Sequence, residues 1–89
     1  MAKISEDTLV KVLAELRRSE AHYEFEIRKA ESSERHAREC LAFATERGDA
    51  ESIEWWEYSV THWGKEADYH RAKLSSVRDL YHTVRASEF

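Results

Sequence analysis

Two apolar stripes at heptad spacing run through nearly all of this 89-residue chain, and they are interrupted once. From Leu9, alternating steps of four and three pass through Leu13, Leu16, Glu20, Tyr23, Ile27, Ala30, Glu34, Ala37, Leu41 and Ala44. From Ile53, steps of three and four pass through Trp56, Val60, Trp63, Ala67, His70, Leu74, Val77, Tyr81 and Val84. Glu20 and Glu34 are the polar members of the first stripe, and His70 is the polar member of the second. Side chains repeating every 3.5 residues line one face of a helix, and that face is buried only against another helix. The absence of proline, the two glycines, and the abundance of Leu, Ala, Glu, Arg and Lys suit long helices.

The interruption, "ERGDAES", holds the signals for a helix end and a helix start. Gly48 suits the left-handed conformation that closes a helix. Asp49 suits the cap of the next helix, with Glu51 favourable in its first turn. Ser5, followed by Glu6 and Asp7, is the matching start signal near the N-terminus. The expected architecture is all-α: one domain over residues 1–89, with helix 1 at about 6–46, a turn at 47–49 and helix 2 at about 50–86. So short a turn forces an antiparallel hairpin. Folding it about Gly48 sets Leu41 near Trp56, Glu34 near Trp63, Ala30 near Ala67, Ile27 near His70 and Leu16 near Tyr81. Glu34 opposite Trp63 suggests an indole N–H donating to the carboxylate, and Ala30 with Ala67 suggests close helix approach.

The stripes account for Trp56 and Trp63 but not for the rest of "ESIEWWEYSVTHW". Positions beside the seam separate into two flanks. One carries Val10, Arg17, Glu24, Glu31, Arg38, Glu57, Arg71, Arg78 and Arg85 and reads as a solvated charged surface. The other carries Val12, His22, Glu26, His36, Cys40, Phe43, Trp55, Ser59, His62, Glu66, Tyr69 and Leu80, with Phe25 and Tyr58 at the outer edge. Aromatic residues bury about 150–250 Å² each, so leaving Phe43, Trp55 and Tyr69 in water exposes a sizeable apolar surface. A lone hairpin also buries only one stripe per helix. Both arguments predict a further interface. A second copy would complete a four-helix bundle, with Ile27, Leu41, Trp56, Trp63, His70 and Leu74 as seam or dimer core. A heterologous protein target would use Phe43, Trp55, Tyr58, His62 and Tyr69, together with Glu51 and Glu54 near the turn. The two partners are compatible.

Charge narrows the partners. The net charge of -4 argues against general affinity for nucleic acid or an anionic membrane surface. No apolar run approaches the ~20 residues of a membrane span, and "MAKISEDT" lacks the apolar core of a secretory signal. A single cysteine, Cys40, fits a reducing compartment, so a cytoplasmic location is expected, in a host cytoplasm if the protein is phage-encoded. Residues 39–57 hold Glu39, Glu46, Asp49, Glu51, Glu54 and Glu57 against Arg47. Residues 71–85 hold Arg71, Lys73, Arg78 and Arg85 against Asp79. The reading is an acidic turn end and a basic end at the termini.

Signals for chemistry are sparse. His36 and Cys40 are spaced i, i+4, and the hairpin register brings His62 towards them, so this trio is the one zinc candidate, with Glu66 or water as fourth ligand. No CxxC pair, HExxH or Gly-rich phosphate loop accompanies it. His22, Lys29, Tyr69 and Lys73 form a candidate anionic-ligand or nucleotide site if a dimer supplies a cleft. No cofactor is implied. Cys40 beside His36 lacks an evident pocket or oxyanion hole, so no enzyme activity is expected. The function that these features favour is that of a small adaptor or inhibitor acting through protein–protein contact. Phage-encoded inhibitors of host machinery offer an analogy of size and composition.

Overall fold

The computed structural model describes residues 5–87 and consists of two long helices, α1 (Glu6–Arg47) and α2 (Ala50–Arg85). They pack side by side as an antiparallel hairpin of 66 × 17 × 14 Å. The caps lie where the sequence signals place them. Ser5 Oγ accepts from the Thr8 N–H at 3.2 Å, with Glu6 and Asp7 at the positive end of the α1 dipole.

Gly48 takes φ 67°. Its N–H reaches Thr45 O at 3.1 Å, and the Asp49 N–H reaches Ala44 O at 3.2 Å. This pair of reversed bonds is a Schellman closure, which keeps Arg47 helical and extends α1 one residue past the expected end. Asp49 then caps α2: one carboxylate oxygen accepts from the Ser52 N–H at 3.2 Å and the other from the Ser52 hydroxyl at 2.8 Å. Those hydrogen bonds hold the Asp49 carboxyl below its ordinary value of 3.8. The connection is therefore two residues long. α2 ends at Arg85, one residue before the expected boundary.

Every position of the two heptad stripes is buried or half-buried. The tightest stretch is lined by small residues: Ala30, Ala37, Ala44 and Ala67 are buried, with Leu9 and Leu74 nearer the open end. Alanine at the contact lets the helix backbones approach, at the cost of a thin core. Among the described residues no large side chain is fully buried, and Ile27, Leu41, Trp56 and Trp63 all keep some surface in solvent.

Cross-helix contacts straddle the expected register. Tyr23 lies against His70, with ring centroids 6.1 Å apart, and His36 meets Trp56 edge-on at 5.8 Å. One expected contact takes another form. The Glu34 carboxylate accepts from Arg38 at 3.0 Å rather than from the Trp63 indole. It lies over Gly64, where an added Cβ would be 3.6 Å from Oε1. Glycine at 64 leaves an opening beside Trp63, and the carboxylate lies over it. Glu20, the other acidic seam residue, turns to Arg78 at 3.6 Å and Arg17 at 3.5 Å.

The charged flank is more than a solvated surface. Glu31 pairs with Arg71 at 2.8 Å and Glu24 with Arg78 at 3.0 Å, both across the helices. Arg17 donates to the Tyr81 hydroxyl at 3.0 Å and lies over its ring. The Glu31 and Asp68 carboxylates hold the Arg71 guanidinium above its already high value. Exposed pairs of this kind add little stability singly. Their opposite signs match only in one antiparallel register, so together they fix alignment. Among the described residues, no helix is long and apolar enough to cross a membrane.

Candidate protein-docking face

The unexplained aromatics of "ESIEWWEYSVTHW" lie on the outside of α2. Trp55 is 59% exposed and Tyr58 64% exposed, while their neighbours Trp56 and Trp63 turn into the seam. Adjacent tryptophans thus occupy opposite environments, as a helical turn of 100° per residue requires. Trp55 and Tyr58 are three residues apart, with ring centroids at 6.1 Å and planes 32° apart. Tyr58 stacks on His62 at 6.1 Å and 13°, and His62 meets Trp63 edge-on at 4.9 Å. The exposed rings are therefore braced by a continuous aromatic row that ends in the seam.

Glu51, Glu54, Trp55 and Tyr58 line one shallow, open recess of about 550 Å³. Their spacing is i, i+3, i+4, i+7, which is a second stripe on α2, rotated away from α1. Sequence reasoning grouped these residues with Phe43, His62 and Tyr69, which do not line this recess. Phe43 is exposed on α1 and has the Arg47 guanidinium 5.2 Å from its ring centre. Tyr69 is exposed on α2 about 21 Å along the helix from Trp55. The Lys73 ammonium lies over the Tyr69 ring at 5.5 Å. Of the docking residues expected from sequence, Glu51, Glu54, Trp55 and Tyr58 line one recess, His62 stacks on Tyr58, and Phe43 and Tyr69 each have a cation over the ring. The i, i+3, i+4, i+7 spacing was the available signal for the patch, hidden by assigning residues to a flank instead of to a stripe.

A second, smaller recess of about 290 Å³ lies along the groove between the helices, lined by Glu26, Lys29, Ala30, His62, Trp63, Glu66 and His70. His70 is 13% exposed, with Nε2 at 3.6 Å from Glu66 and 3.9 Å from Glu26. Its Nδ1 is turned into the seam and meets no hydrogen-bond partner among the described residues. Lys29 shares this recess with two carboxylates, and Lys73 is occupied by Tyr69. Within the single hairpin, His22, Tyr69 and Lys73 do not line this recess with Lys29.

The zinc trio is not assembled either. Cys40 Sγ and His36 Nε2 approach to 3.6 Å, but His62 stacks on Tyr58 and lines the other recess. Among the described residues, no three His, Cys, Asp or Glu side chains converge closely enough to hold a metal ion.

The end carrying the termini is basic on α2 alone but not across the hairpin. Across the hairpin, the first turns of α1 add Glu6, Asp7, Glu15, Glu20 and Glu24 against Lys11, Arg17 and Arg18, and that end comes close to balance. The turn end keeps its acidic excess, since both strands of the hairpin contribute carboxylates there. Comparison with protein-family models, with curated protein sequences and with solved structures returned no match.

Proposed function

We propose that this protein is a non-enzymatic interaction module, an adaptor or inhibitor that binds a target protein through the exposed stripe Glu51–Glu54–Trp55–Tyr58 beside its helical turn. The observation that carries the reading is the placement of Trp55 and Tyr58. Both are more than half exposed, although the chain has a helical seam that accepts two other tryptophans. Tryptophan and tyrosine are the residues most favoured at the centre of protein interfaces. Rigid helices present them at little entropic cost, because Tyr58 already lies against His62 and Trp55 against Tyr58.

The module also pairs with a second copy of itself in this reading. The support is the thin alanine-lined core and the half-exposed Trp56, Trp63 and Leu41, which a neighbouring hairpin would cover to make a four-helix bundle. Assembly along the middle of the hairpin leaves the turn end free for a target.

The test is affinity capture with matched baits: the natural chain, the variant Trp55→Ala/Tyr58→Ala, and a control variant Tyr69→Ala. All three baits should retain full helicity by circular dichroism. A protein held by the natural chain and by Tyr69→Ala, but lost from Trp55→Ala/Tyr58→Ala, is the target, to be reconstituted from purified components. Capture indifferent to Trp55 and Tyr58 would sink the proposal.

A further inference from the structure

We infer that the stripe Glu51–Glu54–Trp55–Tyr58 receives an arginine side chain from a basic segment of the target protein. The guanidinium lies against the Trp55 and Tyr58 rings, and its N–H groups donate to the two carboxylates. This inference rests on the docking role proposed for the turn end and adds the chemistry of what docks there.

Three observations carry it. First, the stripe has both halves of a cation receptor on one helical face: two neighbouring rings at 6.1 Å and two carboxylates lining the same recess. Aromatic faces attract cations through their quadrupole, and a carboxylate nearby adds direct charge attraction. Second, cations of the chain lie over three other rings but over neither of these two, and of the exposed Phe, Tyr and Trp rings without a cation among the described residues only Phe25 lies outside this stripe. Arg17 lies over Tyr81 at 4.3 Å, Arg47 over Phe43 at 5.2 Å and Lys73 over Tyr69 at 5.5 Å. Among the described residues, no cation of the chain lies over Trp55 or Tyr58. The carboxylates of Glu20, Glu24, Glu31 and Glu34 each meet an arginine, whereas among the described residues Glu51 and Glu54 meet none. Third, residues 39–57 carry six acidic side chains against Arg47 alone, so the surroundings attract a basic segment and repel an anionic one.

A second copy of this chain is a poor source of that segment, because its net charge is -4, the end of the hairpin remote from the turn is close to charge balance, and its arginines are dispersed along the helices rather than gathered in a basic run. Guanidinium fits better than ammonium. It is planar, stacks on an indole, and presents several N–H donors at once to carboxylates set one helical turn apart.

The inference is tested by nuclear magnetic resonance on the full chain. The Trp55 indole N–H signal, assigned by loss in Trp55→Phe, is followed while a capped tetra-arginine peptide is added. Tetra-serine and tetra-lysine peptides serve as comparisons. The expected result is a saturable shift of the Trp55 indole and of the backbone amides from Glu51 to Tyr58. It should be absent with tetra-serine, smaller with tetra-lysine, and weakened by added salt. Glu51→Gln/Glu54→Gln should reduce the affinity for tetra-arginine about three- to tenfold. If the double variant loses helicity, Glu54→Gln alone carries the comparison, since residue 54 lies past the capping turn.

No shift at Trp55, or an unchanged affinity in the glutamine variant, overturns the inference. So do shifts confined to Glu39 and Glu46, which would mark unspecific attraction to the acidic end. Equal affinity for tetra-lysine overturns the guanidinium assignment. The two proposals fail separately. A target that needs Trp55 but ignores Glu51 and Glu54 leaves the docking face standing without the arginine. Tetra-arginine binding beside Trp55-independent capture leaves the receptor standing without that docking role.

Discussion

The two glycines of this chain occupy different physical situations, and substitution separates them. Gly48 sits at φ 67°, where a Cβ is strained even though nothing crowds it. Gly48→Ala should destabilise the hairpin by about 1 kcal/mol. Gly64 lies inside α2 with ordinary helical backbone, and an added Cβ would make van der Waals contact with Glu34 at 3.6 Å. Gly64→Ala should therefore stabilise by about 0.5–1 kcal/mol, through helix propensity and a less flexible unfolded chain. Thermal melts of the two variants give the check, and melting temperatures moving in the same direction would refute this account. The tryptophans divide in the same manner. Trp63→Ala removes a half-buried indole from the seam and should cost about 1.5–3 kcal/mol, less than the 3–5 typical of a fully buried ring. Trp55→Ala should change stability by less than about 0.5 kcal/mol, as at other exposed sites. Chemical denaturation of both variants tests the division. If Trp55→Ala proves the more costly, the exposed stripe has been misplaced.

At the scale of the element, the capping of α2 depends on an ionised side chain. Hydrogen bonds from Ser52 hold the Asp49 carboxyl below its ordinary value of 3.8, so the charged form is favoured in the folded state. A depressed folded value means that this stabilisation is present above pH 3.8 and is lost as the pH falls through the lower, folded value. Asn caps equally well without titrating. The melting temperature of Asp49→Asn, relative to the natural chain, should thus rise as the solution is acidified through that range. A difference between the two that stays constant with pH would mean that the charge does not matter to the cap. Much of this element-level structure was legible in the sequence, because caps and heptads depend on residue type and spacing alone. Ser5, Gly48, Asp49 and both stripes are of that kind. The cross-helix pairs Glu31–Arg71 and Glu24–Arg78 were visible as residues but not as pairs, because pairing depends on the stagger between helices. The contact of Glu34 with Arg38 instead of Trp63 was likewise out of reach, since a carboxylate has many partners of similar energy within one turn. The Trp55–Tyr58 patch was half legible. Exposure followed from the heptad, but the cations over Phe43 and Tyr69 depend on the side-chain positions of Arg47 and Lys73.

For the whole molecule, the decisive quantity is how much apolar surface a hairpin 66 Å long leaves uncovered. Among the described residues, the buried hydrophobic side chains are Leu9, Leu74 and four alanines, and alanine contributes little burial energy. A two-helix protein with so thin a core gains stability from any partner that covers Leu41, Trp56 and Trp63, and a second copy is the partner always present. The prediction is a dimer of twice 10.5 kDa by sedimentation equilibrium, with a melting temperature that rises with protein concentration. If the copies meet along the groove recess, a charge placed there should separate them. Glu66→Arg, at the rim beside His62 and His70, should weaken association while leaving each hairpin helical. Trp55→Ala, near the turn, should leave the dimer intact. A monomer at every concentration, or a dimer lost with Trp55 and indifferent to Glu66, would move the self-association surface from the groove to the turn end. The stripe that is free to bind a target would then be the covered one, so the site of self-association decides which face of α2 remains open.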